Sequence, residues 1–126
     1  MARILIIEDE AHIRDNLSRF LRLEGHTVLA ANDGLAGLGV LREQPVDLVI
    51  CDYMMPRMNG FEVLAAMRAD AALQSVPMIM LSASAEPERL QQATSMGAQA
   101  YVTKPFQFAD LRALIDRHAP PGADAA

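Results

Sequence analysis

Glu8-Asp9, Asp52, Ser82 and Lys104 each stand at the carboxyl end of a short apolar run. Such runs read as strands, and the carboxyl edge of an open α/β sheet is where ligands bind. Lys104 is the single lysine among 11 basic residues. Its compact ammonium on a flexible stem differs in kind from the guanidinium groups used everywhere else. Carboxylates crowded at one sheet edge repel each other unless a cation lies among them. Hard oxygen donors completed by water suit Mg²⁺. A metal and an ammonium that offset charge on phosphate oxygens, with a carboxylate as nucleophile, make a phosphoryl-transfer site.

The elements that must position these groups follow from periodicity. Residues 3–7, 27–31, 46–51, 77–81 and 100–102 read as strands. Between them, apolar residues recur at helical spacing. The stripes are Ile13, Leu17, Phe20 and Leu21; Leu35, Leu38 and Leu41; Phe61, Leu64 and Met67; Leu90, Ala93 and Met96 within 86–96; and Phe108, Leu111, Leu114 and Ile115. Strict alternation implies an α/β fold with a five-stranded parallel sheet and helices on both faces. The expected order is 2-1-3-4-5, the flavodoxin-like doubly wound arrangement. In that order Asp9 and Asp52 lie about one strand spacing apart, ~5 Å, and Lys104 lies two spacings from Asp52, ~10 Å at the backbone.

Taken singly, each residue has a plainer role. Asp9 reads equally as an N-cap of the first helix, Ser82 as a cap of the loop that follows, and Lys104 as a surface charge. Asp52 has little local structural use directly after Leu48-Val-Ile-Cys51. It is the combination on one edge that argues for chemistry. Gly34-Leu-Ala-Gly37-Leu-Gly39 has the wrong order for a dinucleotide turn and fits close helix packing.

The 126 residues fit one domain, expected over 1–118, with 119–126 a flexible tail or the start of a linker. A net charge of -5 with scattered arginines argues against direct nucleic-acid binding. The lone Cys51 excludes an intrachain disulfide and reads as a small buried residue. No apolar run approaches a membrane span, so no membrane role and a cytoplasmic location are expected.

Glu8-Asp9, Asp52-Tyr-Met-Met-Pro-Arg-Met-Asn-Gly60, Ser82-Ala83 and Lys104-Pro-Phe106 resemble the response-regulator receiver domain of two-component signalling, over Ala2 to His118. The resemblance implies that Asp52 accepts a phosphoryl group from a histidine kinase or phosphotransfer protein. It implies Mg²⁺ held by Asp9, Asp52 and the Met54 carbonyl, with Glu8 acting through water. Lys104 would pair with Asp52 and then with phosphate. Ser82 and Ala83 would bind the phosphoryl group, Tyr101 would swing inward behind Ser82, and Pro105, after a cis peptide, would aim Lys104. The domain would be a switch, not an enzyme beyond catalysing its own phosphorylation and dephosphorylation.

The resemblance also implies that the places of Met54 and Ser84 tune hydrolysis; neither residue is ionisable, so the phosphate is expected to outlast that of relatives with an acid or amide at both. Output would leave through the face of helix four, strand five and helix five, to a self-dimer or an effector. Gln99-Ala100 stand where acids before strand five pair across one type of dimer, which weakens that assembly. A haloacid-dehalogenase-type phosphatase is the enzyme alternative, but it typically carries a second Asp two residues after the nucleophile, where Met54 stands. A partner-binding module indifferent to phosphorylation is the non-enzymatic one.

Overall fold

The strands are apolar on both sides because two separate cores press on them. In the computed structural model, which describes residues 1–119, β1 (Arg3–Ile7), β2 (Thr27–Ala31), β3 (Leu48–Asp52), β4 (Met78–Ser82) and β5 (Ala100–Thr103) alternate with five helices. These are α1 (Ala11–Leu23), α2 (Gly34–Glu43), α3 (Gly60–Ala69), α4 (Pro87–Ser95) and α5 (Phe108–His118). The sheet is parallel throughout, in the order β2-β1-β3-β4-β5. The part of the expected tail at 120–126 lies outside the described residues.

Successive strand residues point to opposite faces. Ile4, Ile6, Leu48, Ile50, Ile79 and Leu81 meet Leu17 and Leu21 of α1 and Leu111 and Ile115 of α5. Leu5, Ile7, Val49, Cys51, Met78 and Met80 meet α2, α3 and Ala93 of α4. Each fully buried aliphatic contributes roughly 1.5–3 kcal/mol by leaving water. Gly25 (φ 93°) and Gly97 (φ 100°) end α1 and α4 in the left-handed region that glycine adopts freely.

β3 starts two residues later than its apolar run and includes Asp52. Asp47 is taken up instead by pinning the start of β1: its carboxylate accepts the Arg3 N–H at 2.7 Å, and its own N–H donates to the Arg3 carbonyl. β4 likewise runs one residue further, to Ser82. In α4 the expected stripe shrinks, because Leu90 is 46% exposed and only Ala93 is fully buried.

Candidate functional site

The sheet ladder carries the polar residues to one edge. Hydrogen bonds continue one residue beyond the strands: the N–H of Glu8 donates to the Ala31 carbonyl, that of Tyr53 to Leu81 and that of Lys104 to Ser82, the last two at 2.7 Å. Glu8, Asp52 and Ser82 are buried, at 0%, 4% and 2% exposure, while Asp9 faces solvent. Carboxylate oxygens of Glu8, Asp9 and Asp52 lie within 4.8 Å of one another. Asp9 does not cap α1, since Glu10 holds the N-cap position and makes no side-chain cap bond. Lys104 reaches across two strand ends, its Nζ 2.8 Å from Asp52 Oδ1 and 3.1 Å from Glu8 Oε2. The Lys104–Pro105 peptide is cis.

Charge balance decides the behaviour of this cluster. Burial pushes Glu8 above its ordinary pKa and the neighbouring Asp52 adds to the effect, against the Glu10 N–H and Lys104. Burial raises Asp52 too, with the Lys104 hydrogen bond and charge pulling the other way. Burial alone would lower Lys104, but the bond to Asp52 and the charges of Asp52 and Glu8 outweigh it and raise its pKa. One ammonium therefore leaves three carboxylates incompletely compensated. Hard oxygen donors with residual negative charge fit a small divalent cation. Next to Asp52, burial pushes the Cys51 thiol far up, so it stays protonated and inert.

Two loops wall the site. After β3, Met54 is 67% exposed. The N–H of Gly60 donates to the Tyr53 carbonyl. A side chain on Gly60 would sit 2.9 Å from the Asp52 carbonyl, so α3 packs directly against the end of β3. Asn59 and Glu62 cap α3 reciprocally, each side chain accepting the other's N–H at 3.0 Å. After β4, Ser82 Oγ accepts the Ser84 N–H at 3.1 Å, a turn bond, while Ala83 is exposed. The half-buried Tyr101 donates its hydroxyl hydrogen to the Ser84 carbonyl at 2.6 Å.

Three neighbours escape a reading of the sequence. Arg14, which looks like part of a solvated helix face, is half-buried and donates to the Glu8 carbonyl at 2.8 Å. The Glu10 N–H donates to Glu8 Oε1. Arg89 of α4 stacks over the Tyr53 ring at 4.2 Å. His12 stays on the exposed start of α1, beside Glu10.

The family model of the response regulator receiver domain matches residues 4–116. The chain belongs to that family. This receiver domain is similar to chemotaxis protein CheY-3 of Vibrio cholerae, 34% identical over 91% of this chain and 89% of that protein. Among solved structures, chemotaxis protein CheY4 of Vibrio cholerae matches with a TM-score of 0.88 at 32% identity, covering 94% of this chain and 98% of that one. The response regulator TrrA of Thermotoga maritima, in complex with Mg²⁺-BeF, matches with a TM-score of 0.82 at 31% identity, covering 93% and 98%. The chain spans about half the length of several curated relatives, DNA-binding regulators among them. Response regulators receive phosphoryl groups from histidine kinases, and receiver domains bind Mg²⁺ at an acidic pocket. Among the described residues, no helix is long and apolar enough to cross a membrane.

Proposed function

We propose that this receiver domain is a phosphoacceptor switch in which Asp52 takes a phosphoryl group from a histidine kinase or phosphotransfer protein. The supporting observation is the convergence of Asp52, Asp9, Glu8 and Lys104 at adjacent strand ends, with the ammonium already on Asp52. An Asp52 carboxylate oxygen bonds to phosphorus, the bond from phosphorus to the imidazole nitrogen breaks, and the nitrogen keeps the electron pair. Asp9, Asp52 and the Met54 carbonyl would hold Mg²⁺, with Glu8 acting through water. The ion would offset charge on the transferring phosphoryl oxygens. Lys104 holds Asp52 in place and then turns to a phosphoryl oxygen, guided by the chain at Pro105. Ser82 gives up its turn bond to donate to the phosphoryl group, and Ala83 follows. Tyr101 leaves the Ser84 carbonyl and swings inward.

The output surface is α4, β5 and α5, open to an effector or a second copy of the chain. The domain, 1–118, works in the cytoplasm as a switch and turns over no separate substrate, with 119–126 a tail or linker. Binding DNA belongs to its longer relatives and not to this acidic domain. Incubation with acetyl phosphate and Mg²⁺ tests the reading by mass spectrometry. One phosphoryl group per chain is expected, lost with chelator and lost in Asp52→Asn. Undiminished modification of Asp52→Asn defeats it.

A further inference from the structure

Arg89 sits where a cation is disfavoured. It lies in the first turn of α4, whose N-terminal end carries positive partial charge, so an acid such as Glu88 is the stabilising choice there. Among the described residues it makes no salt bridge, and its guanidinium carbon lies over the Tyr53 ring, 4.2 Å from the centroid. That stack holds it half-buried over a cavity of about 390 Å³ between the β3–α3 and β4–α4 loops. Tyr53, Met54, Ser82, Ser84 and Glu86 share the lining. Tyr53 and Met54 directly follow the phosphoacceptor Asp52, and Ser82 is the buried hydroxyl on the next strand. The cavity thus lies beside the end of β3 that carries Asp52, and Lys104 is not among its lining residues.

A guanidinium presents several fixed donors to a carboxylate, and a ring under its face leaves its edge free to use them. Glu86, the acid on the same lining, uses its backbone N–H on Ser84 Oγ and makes no ion pair with Arg89. From this placement we propose that Arg89 makes the receiver domain selective for acyl phosphates among small phosphodonors, by receiving the carboxylate that departs when Asp52 is phosphorylated. The step balances. An Asp52 oxygen bonds to phosphorus, the bond from phosphorus to the acyl oxygen breaks, and the carboxylate leaves with the electron pair and the negative charge. With phosphoramidate the bond from phosphorus to nitrogen breaks and neutral ammonia leaves, so a cation at this cavity has no charge to receive.

The inference rests on the phosphoacceptor reading and is tested separately from it. Rates of phosphorylation with acetyl phosphate and with phosphoramidate, at fixed Mg²⁺ and ionic strength, are measured for wild type, Arg89→Lys and Arg89→Gln. The ratio of the two rates is expected to fall about fivefold or more in Arg89→Gln and to stay near wild type in Arg89→Lys. A clasp between α4 and Tyr53 would change both rates together and leave the ratio alone. An unchanged ratio in Arg89→Gln, or an equal fall in both variants, overturns the inference while phosphoramidate still labels Asp52. Modification of wild type by neither donor overturns the inference and the phosphoacceptor reading together.

Discussion

Lys104 bonds two carboxylates at once, at 2.8 Å to Asp52 and 3.1 Å to Glu8. An ammonium has three rotatable donors, so it can release one carboxylate oxygen for a phosphoryl oxygen without moving its stem. A planar guanidinium presents its donors in a fixed fork and needs more room, and the Lys104 side chain is only 17% exposed. Lys104→Arg is therefore expected to keep Asp52 charged but misalign the incoming phosphorus. Phosphorylation by acetyl phosphate should slow by about tenfold. Amide NMR shifts in α4, β5 and α5, expected to move on phosphorylation of wild type, should stay near their unmodified positions in the phosphorylated variant. Full shifts would mean that any cation serves, and that the lone lysine is chance.

At the scale of elements, the two loops around Asp52 are built to different stiffness. The β3–α3 loop ends in the reciprocal Asn59–Glu62 cap, and loss of such an N-cap typically costs about 1 kcal/mol. The β4–α4 loop enters α4 at Glu86, which makes no side-chain cap bond, and α4 buries only Ala93. Motion therefore concentrates on the β4 side, where the Ser82 and Ser84 hydroxyl oxygens each accept one turn hydrogen bond. Met54 and Ser84 both line the same cavity. Neither carries an acid or amide to orient an attacking water. Replacing them together by Asn at 54 and Glu at 84 is expected to hasten loss of phosphate by about tenfold or more, followed by mass spectrometry after removal of donor. A decay rate equal to wild type would show that these side chains do not govern the water.

Across the whole molecule, the spacing of layers depends on a few close approaches. A methyl at Gly37 would stand 2.4 Å from Ile7 Cδ1, whereas at Gly39 on the same helix it would meet nothing within 4 Å. Gly37→Ala should destabilise by about 1–2 kcal/mol because α2 must lift from β1. Gly39→Ala should stabilise by about 0.5–1 kcal/mol through helix propensity. Urea unfolding of both variants checks the opposite signs. The packing role of Gly34 and Gly37 was legible in the glycine spacing, though Gly39 does not share it; the strand order and the bounds of β1 and β2 were legible too. The starts and ends of β3 and β4 were not, because apolar runs report burial, while the ladder also takes in the buried polar Asp52 and Ser82. The lysine and three acids of the site were legible because each terminates a strand. Arg89 over Tyr53 was not, since a through-space stack between residues 36 positions apart leaves no period to read. The same crowding of aromatic groups at the site has an optical consequence. The chain has 2 tyrosines and no tryptophan; Tyr53 adjoins Asp52 under a cation, and Tyr101 donates its hydroxyl hydrogen to the Ser84 carbonyl. All tyrosine emission therefore originates beside the site, and the native protein carries its own label-free probe of what happens there.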